Sequence, residues 1–591
     1  MKIISLVGIV ALLLSACSSA PGNRSTEDDR LTQLMNEYFE TMKHFDPAGA
    51  AYFNVEEDLG KFGEYPSQEF FNRADRLTLD TAAKINLIDA SKLSPKSLLT
   101  YRLFKEGSDT SVRGLQFPHR YLEFGHLWNR LHQYIDEANP ELTGFPFDSV
   151  RHYEAFVKKS EGFPLYIDRQ IALLKEGIQK NIVQTCEVTE KTPGSYTPAL
   201  EKVSEKNPFY SPITAMPKEF SDADKARLSQ EFKGMIQTRI VPGVQKFDRF
   251  FRAEYMPHCR KQFGLQGLPN QKKWYEFEIE SHTNLPMTAK EVHALGLKEV
   301  LRITRELEKV KNQLGYQGSL VEFRKHLQTD PDSFFKKPEE LISAFSELKA
   351  KINAKLPRYF ELLPKSDFRI VEGTNPEAPA GIYDRPTELK PYGRFMINTH
   401  NLKSVAKSEV TTLFMHETIP GHHLQQALQY ELKDQISEYQ RKLYFSTAFV
   451  EGWALYVEHL GYEMGMYEDP LQRLGNLNFE MLRATRLVVD SGIHGFNWSK
   501  KRALKYMNDH LSSSARSNEI EVNRYSIIPG QALAYKVGEL KILELRHKAE
   551  QVLGPKFDIR EFHRIVIGQG TVSLSVLESN VNNYIATFAN H

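Results

Sequence analysis

Apolar residues recur with the spacing of an α-helix along most of the chain from Arg30 onward. The clearest example lies between Thr288 and Leu314, where leucine, valine and isoleucine form one broad face. Thr288 and Glu291 have the spacing of a capping box, and Gly315 stands where a helix commonly ends. The pattern predicts a long scaffold helix at these residues.

Similar spacing predicts further helices at about 221–255, 337–356, 404–418, 436–464, 470–493, 499–511 and 529–551. One short stretch, Arg394–Thr399, is extended in character and predicts a strand. Chain length alone would allow three or four domains at about 150 residues each, but no internal repeat or Pro/Gly/Ser-rich linker divides the body. We therefore predict a mainly α-helical fold with one domain, residues 30–591. It could form two lobes around a cleft, with a small β-element beside the helix at 404–418.

The N-terminus has the layout of a secretory signal: one lysine, an apolar run and the sequence Leu14-Ser15-Ala16-Cys17. It resembles bacterial lipoprotein signals, so residues 1–17 are predicted to be a signal and Cys17 a lipid-bearing membrane anchor. A short signal followed by a chance cysteine is the alternative. Ser18 after the cysteine resembles the signal for an outer-membrane location facing the periplasm. Residues 18–29 are small, polar and charged, which predicts a flexible tether.

Composition excludes several classes of partner. The formal charge is +1 with both signs interspersed, so there is no basic stripe for nucleic acid. No apolar run after the signal is long enough to span a bilayer, so we expect membrane attachment through the lipid. Cys186 and Cys259 are the remaining cysteines, too few for a cysteine-based zinc site. They could form one disulfide in an exported protein or remain two thiols. The oligomeric state stays open.

A candidate metal site follows the predicted strand. His416 and Glu417 are adjacent, and His422 and His423 follow after a Pro-Gly pair. In zinc peptidases with the HExxH motif, two histidines one helical turn apart hold the ion, and the glutamate polarises the attacking water. Here a proline occupies the position of the second histidine and cannot ligate a metal. The spacing departs from the standard motif, so geometry must decide whether a site survives.

An undistorted helix is excluded at this motif. Seven residues of helix rise about 10 Å, whereas two imidazoles on one tetrahedral zinc hold their nitrogens within about 4 Å. Pro420 removes a backbone donor and Gly421 permits an unusual dihedral angle, so the two extra residues could bulge outward. The bulge would bring His422 to the second ligand position. His423 has the better angular phase but lies a turn too far, and it is the alternative. Without a metal, the motif is a helix end followed by two surface histidines.

A third ligand candidate lies in a second apolar helix. Glu451 is surrounded by apolar residues, where an unpaired carboxylate would cost several kcal/mol. It therefore needs a partner, and a His₂Glu zinc site provides one. A buried ion pair with an arginine is the alternative. The sequence thus predicts one zinc ion held by His416, His422 and Glu451.

These motifs resemble those of known metallopeptidases. In the thimet oligopeptidase and oligoendopeptidase group, a helix with HExGH precedes a helix with FVEAP whose glutamate is a ligand, and residues 449–453 here are similar. Dipeptidyl peptidases with HExxGH indicate that an insertion in the motif is compatible with zinc. The chain is more similar to a large family of uncharacterised bacterial lipoproteins and peptidases with HExxPGHH, EGWALY and PGQALAYK, here at residues 416–423, 451–456 and 529–536. The likeness covers most of the mature chain and implies a metallopeptidase, but no particular substrate.

Three further polar residues, Arg486, Asp490 and His494, have the spacing of one helix face. If that face lines a cleft, His494 could donate to an oxyanion and Asp490 could orient a ligand histidine. An ion-paired surface stripe is the alternative.

Other residues could complete a substrate site. Tyr535, in the PGQALAYK segment, resembles the tyrosine that donates transition-state hydrogen bonds in the oligopeptidases, and a core tyrosine is the alternative. Tyr525 is the competing candidate, and Arg524 could pair with a substrate carboxylate. The strand at 394–399, which includes Asn398, could bind an extended peptide by backbone pairing.

The sequence therefore predicts a lipid-anchored, zinc-dependent peptidase. Zinc polarises the scissile carbonyl and activates a water, and Glu417 takes the water proton and delivers it to the leaving amine. The same residues would serve a non-peptide amide or ester. A catalytically silent envelope binding protein is the other alternative, but such a protein needs no base beside His416.

Overall fold

The computed structural model describes residues 26–127, 129–140, 145–373, 380–387, 391–433 and 435–589. The fold is mainly α-helical with one three-stranded sheet, which confirms the predicted class. The predicted signal and Cys17 lie outside the described residues. None of the helices in the described part of the chain is long and apolar enough to cross a membrane.

The N-terminal half consists of short and medium helices joined by 3₁₀ turns. They are α1 (Thr26–Phe45), α2 (Ala50–Phe53), α3 (Gln68–Ile85), α4 (Pro95–Gly114), α5 (Arg130–Glu137), α6 (Val150–Lys159), α7 (Phe163–Gln179), α8 (Cys186–Lys191), α9 (Ser211–Thr214), α10 (Asp222–Met235) and α11 (Val241–Phe250). The helix predicted at 221–255 is confirmed as α10 and α11, each followed by a π-helical turn. Because α1 begins at Thr26, the end of the predicted tether is helical.

The C-terminal half carries the longer helices. They are α12 (Gln271–Thr283), α13 (Ala289–Gln313), α14 (Leu320–Thr329), α15 (Pro338–Asn353), α16 (Val410–Glu417), α17 (His422–Glu431), α18 (Thr447–Leu460), α19 (Pro470–Phe496), α20 (Lys500–His510), α21 (Ala515–Ile527), α22 (Ala534–Leu553), α23 (Ile559–Ile567) and α24 (Leu574–Ala589). The capping box of Thr288 and Glu291 is present at α13, and Gly315 follows with a φ of 78°.

The helix predicted at 436–464 is wrong in its first part. A π-helical turn at Tyr439–Leu443 precedes α18, and an extended segment separates the two. The Ser446 hydroxyl accepts the Phe449 amide at 3.2 Å, so Ser446 caps a new helix and does not continue an old one.

The strands are β1 (Phe368–Glu372), β2 (Gly381–Asp384) and β3 (Gly393–Ile397), in the order β1-β3-β2. The predicted strand is confirmed as β3. It pairs in parallel with β1 and antiparallel with β2. Both edges of β3 are therefore occupied, and the prediction that this strand binds a peptide by backbone pairing is wrong.

The buried residues form two main cores. One consists entirely of residues between Ala50 and Tyr255, and the other joins the sheet to α16, α18 and α22–α24. The strongest helix pairings are α13 with α19 and α18 with α22. Cys186 and Cys259 are joined by a disulfide in the N-terminal half, which settles the choice that their number left open.

Candidate metal centre

The two histidines of the motif lie on two separate helices. α16 ends at Glu417, Thr418 departs from helical geometry with φ −113° and ψ −111°, and α17 begins at His422. The predicted bulge within one helix is therefore wrong in form, because the two extra residues end one helix and begin another. The Trp453 indole donates to the Pro420 carbonyl at 3.0 Å, which ties the connecting loop to α18.

Gly421 allows this loop to turn tightly against α16. A Cβ atom at Gly421 would lie 2.0 Å from the His416 carbonyl oxygen and 2.3 Å from that of Met415. Both neighbours are backbone atoms, so no side-chain movement could make room. The close approach brings the His416 and His422 rings to 4.7 Å between centroids.

His416, His422 and Glu451 converge on one point. Glu451 Oε2 lies 3.5 Å from His416 Nε2 and 3.6 Å from His422 Nε2. The three candidate ligand atoms lie within 4.8 Å of one another. Donors at about 2.0–2.1 Å from a tetrahedral zinc stand roughly 3.3 Å apart, whereas charge-assisted hydrogen bonds are about 2.7–2.9 Å long. The spacing fits shared coordination better than direct hydrogen bonding.

Two buried polar atoms of this cluster, Glu451 Oε2 and His422 Nδ1, have no hydrogen-bond partner among the described residues. Burial alone would raise the pKa of Glu451, but the two histidines hold it well below its ordinary value. Burial lowers the pKa of His416, but Glu451 and Glu458 raise it to about 9. These side chains therefore favour a positive charge at their centre. A His₂Glu donor set is one that zinc adopts, so the residues present fit this ion.

Glu458 orients the first histidine. Its carboxylate accepts a hydrogen bond from His416 Nδ1 at 2.7 Å, which leaves Nε2 to face Glu451. The Arg483 guanidinium lies 3.6 Å from the same carboxylate oxygen. Such a carboxylate–histidine pair is typical of metal sites. Glu458 was not among the residues predicted from the sequence, although it lies two helical turns after Glu451 in the same apolar helix.

His423 points away from this cluster. Its Nδ1 atom is 2.9 Å from the Tyr383 hydroxyl of β2, and its ring packs on Phe368 of β1 at 4.8 Å between centroids. Burial lowers the pKa of His423 to about 4, so the ring is neutral. The structure thus places His422 near Glu451 and uses His423 to hold the sheet against α17.

Glu417 is partly exposed at the edge of the cluster. Burial raises its pKa, the two histidines lower it, and the negative charge of Glu451 raises it further. Glu417 directly follows the candidate ligand His416, and its charge interacts with those of His416, His422 and Glu451. A carboxylate beside candidate metal ligands is a candidate general base.

Tyr535 is brought to the cluster by close packing of α18 on α22. A Cβ atom at Gly452 would lie 2.5 Å from the Gly538 carbonyl carbon, so the two backbones touch where both residues lack side chains. Tyr535 lies one turn before Gly538 on α22. Burial raises the pKa of the Tyr535 hydroxyl, and the charge of Glu451 raises it further.

A cluster of charges lies on the other side of Tyr535. The Arg486 guanidinium stacks 4.4 Å from the centre of the Tyr535 ring. Arg486 and Arg524 each donate to Glu521 Oε2 at 2.9 Å, and the Tyr525 hydroxyl donates to the same atom at 2.6 Å. Tyr525 is therefore committed to Glu521, whereas the pKa of Tyr535 is raised by the charge of the candidate ligand Glu451.

A family model described as "Bacterial protein of unknown function (DUF885)" matches residues 47–581. The chain belongs to the DUF885 family. Among solved structures, a "putative lipoprotein" from Colwellia psychrerythraea is 23% identical, with a TM-score of 0.87 over 95% of this chain and 99% of that one. A "putative lipoprotein of unknown function" from Shewanella oneidensis is 19% identical, with a TM-score of 0.68 over 93% and 99%. At these identities the likeness shows the fold alone. No curated protein matches the chain.

His494 of this DUF885 chain cannot serve as the predicted oxyanion donor in this arrangement. Its Nδ1 accepts the Leu265 amide at 3.2 Å, and its Nε2 donates to the Tyr525 carbonyl at 3.0 Å. Burial lowers its pKa to about 4. Both ring nitrogens are occupied by backbone groups, so His494 holds α21 against α19. The alternative of an ion-paired surface stripe is also wrong, because Arg486, Asp490 and His494 are all buried.

Asp490 and Asn398 are likewise used by the fold. Asp490 accepts from the Tyr275 hydroxyl at 2.7 Å and from the Gly530 amide at 3.1 Å. The role predicted for Asp490, orienting a ligand histidine, belongs to Glu458. Asn398 accepts the amide of His400 at 3.1 Å and closes the turn after β3.

Proposed function

We propose that this DUF885 protein is a zinc-dependent hydrolase of peptide bonds with His416, His422 and Glu451 as the metal ligands. The observation that carries the proposal is the convergence of two imidazoles and a carboxylate, of which the buried Glu451 Oε2 has no hydrogen-bond partner among the described residues. When bound, zinc would supply Lewis acidity and lower the pKa of a water to near neutrality.

The chain's own residues would perform the proton transfers. Glu417 accepts the proton of the attacking water and returns it to the leaving nitrogen. Tyr535 donates a hydrogen bond to the developing negative charge. Glu458 keeps His416 in the tautomer that presents Nε2 to the centre, through the 2.7 Å hydrogen bond to Nδ1.

A non-peptide amide or ester would be hydrolysed by the same residues, and a silent binding protein could keep the same metal ligands. Glu417 favours hydrolysis over mere binding, because a site that only held the metal would need no carboxylate directly after the ligand His416. Peptide is favoured by the motif resemblance.

We further propose that the protein is exported and lipid-anchored through Cys17, facing the periplasm from the outer membrane. Three observations support this location. Residues 1–17 have the pattern of a lipoprotein signal that ends in Leu14-Ser15-Ala16-Cys17. The similar solved structures are called "putative lipoprotein". The disulfide of Cys186 and Cys259 is a bond that oxidising compartments maintain.

The decisive experiment separates metal binding from chemistry. Glu417→Gln keeps the shape of the side chain but cannot accept a proton, so zinc content should stay at one per chain while kcat falls. Loss of a general base typically costs about 10² to 10⁴ in rate. Metal content is measured by plasma mass spectrometry, and cleavage of an unbiased peptide mixture by mass spectrometry on the same samples.

The matched control is Glu468→Gln, an identical change at an exposed glutamate outside the cluster. It should retain both zinc and activity. Near-normal turnover in Glu417→Gln would contradict the proposed proton transfer, and a parent protein that binds zinc but cleaves neither peptides nor small amides would favour a binding protein.

A further inference from the structure

The charge cluster beside Tyr535 has more cations than its direct contacts neutralise. Arg486 and Arg524 share one carboxylate, that of Glu521, and the Tyr525 hydroxyl donates to the same group. The two arginines hold the pKa of Glu521 below its ordinary value despite burial, so it is ionised. Two positive charges and one negative charge leave an excess of one positive charge.

Arg486 also has a donor with nothing to bind. Its side chain is only 9% exposed, yet Nη1 has no hydrogen-bond partner in the part of the chain that the structure describes. Its Nε and Nη2 atoms both donate to Glu521, at 3.2 Å and 2.9 Å. A buried guanidinium donor left unsatisfied is costly. Nη1 is therefore a buried donor that a bound anion could satisfy.

Other nearby carboxyl groups do not remove the excess. Asp490 is the further acid whose charge reaches Arg524, but its oxygens accept from Tyr275 and Gly530. Burial raises the pKa of Asp490 to about 7, so it is incompletely ionised near neutral pH. The Gln531 side chain accepts from Arg524 and carries no charge.

The cluster adjoins the candidate metal centre through one side chain. Arg486 lies over one face of the Tyr535 ring, and Tyr535 lies one turn before Gly538, where α22 touches Gly452 beside Glu451. Arg524 is less buried than Arg486, with 18% of its side chain exposed. An anion bound by the two arginines would therefore lie beside Tyr535, the residue that adjoins the candidate metal centre.

We propose that Arg486 and Arg524 form a subsite for the terminal carboxylate of a peptide substrate, so that the protein cleaves near the C-terminus of peptides. This inference rests on the proposed hydrolysis and specifies its substrate class. A free carboxylate can accept a hydrogen bond from Arg486 Nη1. The neutral carbonyl groups within a peptide would form a weaker hydrogen bond there because they carry no charge. The subsite would select exopeptidase action over cleavage within a long chain.

The test compares acetyl-trialanine with its C-terminal amide by calorimetric titration of the zinc-loaded Glu417→Gln protein, which does not turn the probes over. Hydrogen bonds to charged groups predict about tenfold to hundredfold tighter binding of the acid. Arg486→Lys in the same background should remove most of this preference, because lysine cannot both pair with Glu521 and reach the ligand. Equal affinity for acid and amide, or no binding of either at millimolar concentration, overturns the proposal.

A second substitution serves as the control for misfolding of the variants. Arg524→Lys lies at the more exposed side of the cluster and should lower the acid preference with little change in melting temperature. If both lysine variants keep the preference, the arginines are structural and the subsite is rejected. A parent protein that cleaves acid and amide equally rejects the subsite but keeps the hydrolase. One that prefers the acid in binding yet cleaves no peptide keeps the subsite and rejects the hydrolase.

Discussion

Two glutamates on α18 illustrate how the fold assigns roles to identical side chains. Glu451 and Glu458 are two turns apart on the same helix, so both face α16. Glu451 Oε2 has no hydrogen-bond partner in the described part of the chain, whereas Glu458 receives a 2.7 Å hydrogen bond from His416. The first carboxylate is available to a metal and the second fixes a histidine that would share that metal.

We predict that Glu458→Gln weakens zinc binding without abolishing it. The amide can still accept from His416 Nδ1, but it lacks the charge that makes the histidine a stronger ligand. Loss of such a partner typically lowers metal affinity about 10- to 100-fold. Competition with a chelator measures the affinity, and Glu468→Gln serves as the control. An unchanged affinity would mean that packing alone orients His416.

At the scale of elements, local signals in the sequence were sufficient where the interaction itself is local. The capping box of α13 joins residues three apart, and both its hydrogen bonds are present. Helix geometry also showed that the histidines could not share a straight helix. It did not show that the chain would end α16 and start α17, because this depends on the loop being held by Trp453, more than thirty residues later.

Long-range partners account for the other differences. His494 binds the backbone of Leu265 and Tyr525, and nothing in the neighbouring sequence indicates these contacts. The pairing of β3 on both edges likewise depends on strands that precede it without a strong pattern. The candidate ligands were predictable because a buried carboxylate and a spaced histidine pair each require a partner. The roles of the groups around them were not predictable, because a tyrosine or an arginine could find hydrogen-bond partners in several folds.

The close contact between α18 and α22 predicts that a larger side chain at Gly538 will be destabilising. A Cβ atom at Gly538 would lie 1.9 Å from the Ala448 carbonyl oxygen, a backbone atom that cannot rotate away. Gly538→Ala should therefore separate the helices. Overpacking of this kind costs about 1–3 kcal/mol or more, and zinc content should fall because Glu451 moves with α18.

Gly234→Ala is the matched control. Gly234 lies in α10, and a Cβ atom there has no neighbour within 4 Å. Alanine in a helix is favoured over glycine by roughly 0.5–1 kcal/mol, so this variant should melt at an equal or higher temperature. Thermal unfolding followed by circular dichroism compares the two. A Gly538→Ala protein as stable as Gly234→Ala would show that the helices pack less closely.

At the scale of the whole molecule, one cysteine is predicted to determine where the protein is located, and the other two form a disulfide that stabilises the fold. Cys17 ends the predicted signal, and the Cys186–Cys259 disulfide closes a loop with a sequence separation of 73 residues. The disulfide lies in the N-terminal half, whose core is distinct from the one around the candidate metal centre. Anchoring, stability and chemistry should therefore be separable by mutation.

We predict that Cys17→Ser releases the protein from the membrane fraction but leaves its melting temperature and zinc content unchanged, because no lipid can be attached to serine. The double variant Cys186→Ser with Cys259→Ser should behave in the opposite way. It should remain in the membrane fraction and lose about 2–4 kcal/mol of stability, since the unfolded chain regains the entropy that the closed loop removed.

Fractionation and thermal unfolding of both variants, with and without reductant, measure the two effects. If Cys17→Ser stays with the membrane, the anchor is not a lipid on this residue. If reductant leaves the parent protein as stable as before, the disulfide does not constrain the fold.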